Sequence, residues 1–173
     1  DQKEHFTTPV KSQGYNCCCW DFAGTSILES EIYRQHGKVY DLSEMWIARH
    51  AYYEKAVRHV RHYGKNHYRC GGIHADVMAM VKKYGVVPQE VYDECRKTDG
   101  KYDHRELVDT LRSYLADLVK MKNGTMKPDW LDDIDAILDE HMGARPEKFI
   151  YKGREYTPLS FAQSLGIDFD DYV

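Results

Sequence analysis

Residues 13–23 read Gln-Gly-Tyr-Asn-Cys-Cys-Cys-Trp-Asp-Phe-Ala, a loop that delivers cysteine to the first turn of an apolar helix. At a helix N-terminus, unsatisfied N–H groups and the helix dipole favour a thiolate over a thiol. Gln13 stands six residues before Cys19 and can fold back to place its side-chain amide beside that sulfur. An oxyanion formed in acyl transfer needs such a donor. The alternative, that adjacent cysteines fill a buried loop, requires neither Gln13 nor Trp20.

The segments that follow have the three- and four-residue apolar spacing of helices. One helix is predicted from Trp20 to Gly37, which stops it. A second follows Asp41-Leu42-Ser43-Glu44, with Ser43 as its cap. A third is predicted over His74 to Tyr84, closed by Gly85.

The second half of the chain is also predicted to be mainly helical. Residues 86–103 are predicted as a loop with a turn at Asp99-Gly100. Helices are predicted at about 104–122 and 129–142, separated by Asn123-Gly124 and Pro128. A short β-hairpin is expected over 149–157, and a final helix from Pro158 to Gly166. The chain, residues 1–173, is therefore predicted to be one mostly helical unit.

Composition excludes several classes of function. The 173 residues carry a formal net charge of -4, and no sustained basic run is present, which argues against nucleic-acid binding. No apolar stretch is long enough to span a bilayer. Five cysteines, three of them consecutive, do not form the even, spaced set of a disulfide framework. The sequence opens at Asp1 without Met, which fits a removed leader or a cloning boundary.

The stretch from Gln13 to Phe22 resembles the nucleophile motif of papain-like cysteine peptidases. Three further stretches extend the resemblance and are similar to the bleomycin hydrolase and aminopeptidase C branch; they are Tyr40–Glu44, Cys70-Gly71-Gly72 with Lys83–Pro88, and Pro146–Phe161. The resemblance implies the helical left-hand domain of the α+β papain-like fold. The sequence differs from the family pattern at Cys17 and Cys18, where the family usually has small residues, and at Asp21. A bulky or oxidisable neighbour there could crowd Cys19 or trap it in a disulfide.

The same resemblance implies roles for particular residues. Cys19 would be the nucleophile and Gln13 the oxyanion donor, while Gly71 and Gly72 would contact the main chain of a peptide substrate. A plain tight turn is the alternative for the two glycines. Papain-like enzymes often link the loop before the nucleophile to the loop before Gly-Gly, and Cys17 and Cys70 each stand one residue from those positions. A Cys17–Cys70 disulfide is therefore a hypothesis, and it would suggest an oxidising compartment. No cofactor and no metal are implied.

The catalytic histidine and asparagine of this family are not found in the chain. A thiolate nucleophile needs a histidine base and a group that orients it. In the papain layout that histidine lies ~130–150 residues after the cysteine, but the last histidine is His141, interpreted as a cation at a helix C-terminus. His74 is rejected because the family uses no histidine there. We expect the β-rich domain that carries His and Asn to lie outside this chain, in a second chain or a continuation.

Several functions remain open at this point. The first is thiol-dependent peptide hydrolysis through a thioester, completed by the missing half. Kinship with the branch suggests that the enzyme trims short peptides from the N-terminus and forms a homo-oligomer. Because the branch has secreted bacterial members, kinship also favours export over a cytoplasmic location. The second is a non-catalytic relative or fragment that binds peptides or a partner. A Cys/His metal-binding or redox module is the third, although adjacent cysteines lack the two-to-four-residue spacing of structural zinc ligands.

Overall fold

The computed structural model describes residues 6–121 and 126–169, in which helices predominate. The helices are α1 (Cys19–His36), α2 (Glu44–Arg61), α3 (His74–Tyr84), α4 (Arg105–Lys120), α5 (Trp130–Met142) and α6 (Pro158–Ser164). The strands β1 (Lys97–Thr98) and β2 (Lys101–Tyr102) form one antiparallel hairpin, and β3 (Phe149–Tyr151) and β4 (Arg154–Tyr156) form another. The predicted class, mostly α with a short hairpin near 148–157, is confirmed.

The helix ends follow from local chemistry. The Ser43 side chain accepts a hydrogen bond from the Trp46 amide and donates one to the Tyr92 carbonyl at 2.7 Å, so the predicted cap of α2 is confirmed. α1 ends at Gly37, whose φ of 64° is the left-handed conformation that favours glycine.

Helix α2 lies at the centre of the bundle and packs against α1, α3, α4 and α5. Its buried residues include Met45, Ile47, Ala48 and Tyr52. Helices α1 and α3 also pack directly on each other, and Gly24 makes this approach possible. A Cβ at Gly24 would lie 2.5 Å from Cγ2 of Val77, which is too close for any larger residue.

A buried arginine joins α2 to α5. Arg49 is fully buried, and its guanidinium forms ion pairs with Asp135 and Asp139 of α5. Buried charges are stable when they are paired and hydrogen-bonded. These pairs therefore fix which face of α5 meets the centre of the bundle.

The C-terminal segment packs against the start of the bundle through aromatic side chains. Phe161 of α6 contacts four rings at centroid distances between 5.3 and 5.9 Å, those of Tyr40, Phe149, Tyr151 and Tyr156. The Val86 amide donates to the Pro158 carbonyl at 3.2 Å, and this bond brings α6 beside the end of α3. The β3–β4 hairpin and α6 are thus part of the core.

Most predicted boundaries agree with the structure to within one or two residues. The segment predicted as a loop over 86–103 contains, in addition, a 3₁₀ turn at Gln89–Val91 and the β1–β2 hairpin. Asp99 and Gly100 both have positive φ, as a two-residue hairpin turn requires. The predicted separation at Asn123-Gly124 lies outside the described residues. Within the described ranges, no helix has the length and apolar character to cross a membrane.

Candidate active site

Cys19 is the first residue of α1, and its side chain is exposed as a free thiol. The residue before it, Cys18, is fully buried. The carbonyl of Cys18 accepts hydrogen bonds from the amides of Asp21 (2.9 Å) and Phe22 (3.1 Å), which begin the helix. Cys18 is therefore the residue that anchors the nucleophile position to the protein interior.

The same two hydrogen bonds determine where the amide of Cys19 points. A trans peptide unit is planar, so its N–H points opposite to its carbonyl. Because the Cys18 carbonyl points along α1, the Cys19 N–H points out of the helix N-terminus, beside its own sulfur. It donates to no carbonyl in the part of the chain that the structure describes. The Cys19 amide is a second candidate oxyanion donor, which the sequence reasoning missed because it considered side chains only.

Gln13 lies in the loop before α1, and its side chain is engaged with that loop. Its Nε2 donates to the Asn16 carbonyl at 3.0 Å, and the Asn16 side chain in turn donates to the Gln13 carbonyl. The Asn16 carboxamide oxygen also accepts from the Cys18 amide at 2.9 Å. The side-chain nitrogen Nε2 of glutamine carries two hydrogens. One is donated to Asn16, so Gln13 retains a second N–H for another acceptor. The loop thereby holds the predicted oxyanion donor in a defined turn.

The β1–β2 hairpin supports this loop from outside. The amide of Tyr15 donates to the Tyr102 carbonyl at 2.7 Å, and the amide of His104 donates to the Tyr15 carbonyl at 3.1 Å. Gly14 has a φ of 72°, and a Cβ there would lie 2.4 Å from the Tyr102 carbonyl oxygen. Only glycine fits at this position.

Cys17 and Cys70 form a disulfide that closes the loop onto the segment before Gly71 and Gly72. The Trp20 indole donates to the Cys70 carbonyl at 3.3 Å and provides a second link between the same segments. Cys17 is therefore joined to Cys70, and Cys19 is a free thiol.

Gly71 and Gly72 lie in the segment between the disulfide and α3, which is neither helix nor strand, and their surroundings differ. A Cβ at Gly72 would lie 2.7 Å from the Trp20 ring, whereas one at Gly71 would meet nothing within 4 Å. The Gly71 carbonyl accepts a hydrogen bond from Lys55. Within the described residues, the main chain of Gly72 makes no hydrogen bond, so its N–H and C=O are available to a ligand.

A cleft of about 490 Å³ opens beside the Cys17–Cys70 disulfide. Its walls are the loop at Tyr15 and Asn16, the disulfide itself, and the first turns of α4, including Arg105 and Arg112. Arg105 is neutralised by Asp103, to which it donates two hydrogen bonds of 2.9 and 2.6 Å. The cleft is lined by Cys17 and Cys70, but Cys19, Gln13, Gly71 and Gly72 are not among its lining residues.

Asp21, which departs from the family pattern, does not crowd Cys19. Its carboxyl is fully buried beneath α1, and one oxygen accepts from the Thr25 hydroxyl at 3.2 Å. Burial raises its pKa well above the ordinary value, and the nearby Glu44 carboxylate raises it further. The second oxygen of Asp21 and one oxygen of Glu44 have no hydrogen-bond partner in the described structure.

A buried polar cluster behind the nucleophile was not predicted. His104 places Nδ1 2.9 Å from the Tyr52 hydroxyl and 3.9 Å from the Cys18 sulfur, and Nε2 3.1 Å from the Cys95 sulfur. The Tyr52 hydroxyl lies 3.5 Å from the Cys18 sulfur. Burial lowers the pKa of His104 to about 4 and raises those of Cys18 and Cys95 to about 12. The imidazole and both thiols are thus neutral near pH 7.

Among the described residues, no histidine is hydrogen-bonded to Cys19 as a base would be. Within residues 6–121 and 126–169, no hydrogen bond connects the Cys19 sulfur to another side chain, and no set of three His, Cys, Asp or Glu side chains is arranged to hold a metal ion. His141 does lie in the last turn of α5, but it is only 5% exposed. The predicted position of His141 at the C-terminal end of a helix agrees with the structure.

Comparison with known proteins assigns the chain to a family. The model of the Peptidase C1-like family matches residues 2–172. Procathepsin L of Felis catus is 46% identical over 43 residues, and a cathepsin L-like peptidase of Aedes aegypti is 44% identical over 43 residues; each match covers 25% of this chain and 13% of the relative.

A solved structure shows the same fold. The crystal structure of PepW from Lactobacillus rhamnosis HN001 matches with a TM-score of 0.68 and 22% sequence identity, over 98% of this chain and 46% of PepW. This chain thus spans less than half of that protein. The predicted resemblance to papain-like cysteine peptidases is confirmed, and the chain belongs to the Peptidase C1-like family.

Proposed function

We propose that this chain is the nucleophile-bearing part of a thiol peptidase, in which Cys19 attacks the carbonyl carbon of a peptide bond. The observation that carries the proposal is the contrast among three adjacent cysteines. Cys17 is in a disulfide, Cys18 is buried, and only Cys19 is a free, exposed thiol at a helix N-terminus. Helix N-termini favour thiolate nucleophiles.

The proposed reaction proceeds through a thioester. The Cys19 sulfur forms a bond to the carbonyl carbon, and the resulting oxyanion receives hydrogen bonds from the Cys19 amide and the Gln13 side chain. An imidazole takes the proton of the Cys19 thiol and, as imidazolium, gives it to the leaving amine as the C–N bond breaks. Water then attacks the thioester carbonyl, the C–S bond breaks, and the carboxylic acid and the Cys19 thiol are released. The imidazole and the Asn that orients it would come from sequence outside this chain, as a second chain or a continuation.

We propose that the substrate is a peptide in extended conformation. The unpaired main chain of Gly72 and the open space around Gly71 support pairing with a peptide main chain at this segment. Trimming from the N-terminus and assembly into a homo-oligomer follow from kinship with the branch and are part of the proposal. The disulfide supports an oxidising compartment, and hence export.

A mass-spectrometric labelling experiment tests the proposal. The purified protein, with any second chain that co-purifies, is treated with a peptidyl epoxide that alkylates peptidase thiolates, and the adduct is mapped by peptide sequencing. We expect one adduct on Cys19, no adduct on the buried thiols of Cys18 and Cys95, and no adduct in Cys19→Ser. Hydrolysis of aminoacyl substrates with free and blocked N-termini then tests aminopeptidase specificity.

The second candidate is a non-catalytic peptide-binding relative. It is favoured by one observation, the absence of an imidazole hydrogen-bonded to Cys19 in the described structure. Peptide binding that persists in Cys19→Ala, together with no labelling of the wild-type protein, would establish this candidate and exclude the peptidase.

A further inference from the structure

We infer that the buried Cys18–Tyr52–His104 network positions the nucleophile, and that His104 is a positioning residue for Cys19. This inference rests on the proposed role of Cys19. It assigns a function to Cys18, the residue at which the motif departs from its family pattern.

The first step of the argument is that Cys18 is held at every polar atom it has. Its amide donates to Asn16, its carbonyl accepts from the amides of Asp21 and Phe22, and its sulfur contacts Tyr52 and His104. Because a peptide unit is planar, fixing the Cys18 carbonyl also fixes the direction of the Cys19 N–H. A displacement of Cys18 would therefore displace both the nucleophilic sulfur and the candidate oxyanion donor.

The second step is that His104 contacts the nucleophile loop at two separate points. Its amide donates to the Tyr15 carbonyl at 3.1 Å, three residues before Cys18, and its ring lies against the Cys18 sulfur. His104 also precedes the first residue of α4, so the start of α4 is tied to the start of α1. His104 is 1% exposed, so both contacts are buried.

The third step is the direction of the hydrogen bonds. In the neutral imidazole one nitrogen is a donor and the other an acceptor. A consistent chain runs from the Cys18 S–H to the Tyr52 oxygen, from the Tyr52 O–H to Nδ1, and from Nε2–H to the Cys95 sulfur. Satisfied buried networks of this kind hold their members in one arrangement. In this chain the Tyr52 hydroxyl links the Cys18 sulfur to the His104 ring.

Alkylation of Cys19 by iodoacetamide at fixed pH tests this inference without requiring the catalytic histidine. The second-order rate at Cys19 is followed by peptide mapping, and urea unfolding confirms that each variant is folded. Tyr52→Phe and Cys18→Ala are expected to lower the rate about tenfold, since a displaced Cys19 sulfur is stabilised less as a thiolate by the N-terminus of α1. Tyr114→Phe is the matched control. The hydroxyl that it removes donates a hydrogen bond to Asp133 of α5 and is not part of the buried network.

Two substitutions of His104 distinguish positioning from general stabilisation. The amide of Asn lies where Nδ1 lies in histidine, and the amide of Gln lies closer to Nε2. His104→Asn is therefore expected to retain most of the Cys19 rate, and His104→Gln to lose it. Equal rates in the two variants, or a Tyr52→Phe rate equal to that of Tyr114→Phe, would overturn the inference.

A different result of the same experiment would contradict the proposed function. If Cys19 of the folded wild type reacts no faster than Cys19 of the urea-unfolded chain, the nucleophile assignment is wrong, and the positioning role falls with it. If the wild type reacts rapidly and the network variants react equally fast, only the positioning role is overturned.

Discussion

Gly72 lies against the indole ring of Trp20, so closely that a Cβ on Gly72 would be 2.7 Å from the ring atom Cδ2. Trp20 follows the candidate nucleophile, and Gly72 belongs to the segment proposed to bind substrate. The contact therefore determines the separation between the nucleophile helix and the substrate segment. The sequence alone left open whether the two glycines form a plain turn. The contact shows that position 72 has no room for a Cβ, whereas position 71 does.

The first prediction concerns these glycines. Gly72→Ala is expected to destabilise the protein by about 1–3 kcal/mol, since a methyl group must displace the indole or the Asp76 carboxylate. Gly71→Ala is the matched control and should change the free energy of unfolding little, because that position is open. Urea denaturation of both variants decides the question; equal destabilisation would contradict the packing argument.

The second prediction concerns the disulfide. Cys17 and Cys70 are 53 residues apart, and the loss of a cross-link over such a loop is expected to cost about 2–4 kcal/mol. The Cys17→Ser/Cys70→Ser variant should therefore unfold at a lower urea concentration than the wild type. Dithiothreitol should lower the wild-type midpoint to that of the variant and leave the variant unchanged. A wild type insensitive to the reductant would mean that this bond is not formed in solution.

The third prediction concerns Asp21 and pH. Burial raises its pKa well above the ordinary value of 3.8, so the folded protein holds a proton that the unfolded chain releases. Stability is unaffected by Asp21 below pH 3.8 and falls as pH rises above it, by at most about 1.4 kcal/mol for each pH unit. Burial also raises the pKa values of Glu29 and Glu44, so these two carboxyls shift the pH dependence of stability in the same direction as Asp21.

Asp21→Asn removes this titration and is expected to stabilise the protein increasingly between about pH 4 and pH 7. Urea midpoints measured at several pH values, with Asp109→Asn as a solvent-exposed control, provide the check. A constant difference between Asp21→Asn and wild type across that range would show that Asp21 is ionised in the folded protein.

The fourth prediction concerns Gln13 in the complete enzyme. Gln13→Ala is expected to lower kcat by about 10²–10³ with a smaller change in KM, because an oxyanion donor acts mainly in the transition state. Gln163→Ala, on the exposed face of α6, is the control for loss of an amide. If kcat is unaffected and only stability declines, Gln13 serves the loop through Asn16 and not the oxyanion.

Much of the fold could be predicted because its signals are local. Ser43 and Gly85 mark the boundaries of helices through interactions within one turn. The start of α1 was predicted one residue late, at Trp20, because Cys18 precedes the helix without a side-chain capping bond. Cys19 and Gln13 were found as candidates because their spacing along the chain carries the resemblance.

The buried cluster could not be predicted in this way. Cys18 and His104 are 86 residues apart, and no periodicity relates Tyr52 or Cys95 to either of them. Each residue alone is compatible with a surface or a core position, and only the packing of α2 and α4 against α1 brings them together. Cys95, a lone cysteine followed nine residues later by a histidine at a predicted helix start, was the one available signal.

The disulfide between Cys17 and Cys70 also changes how fragments of this chain would migrate on a gel. It encloses α1 and α2, so one cut anywhere between residues 18 and 69 leaves both pieces covalently joined. In denaturing electrophoresis the nicked chain would run as a single band until it is reduced. A cut beyond Cys70 would instead release two bands with or without reductant. Comparing reduced and unreduced lanes therefore distinguishes damage in the first two helices from cleavage farther along the chain.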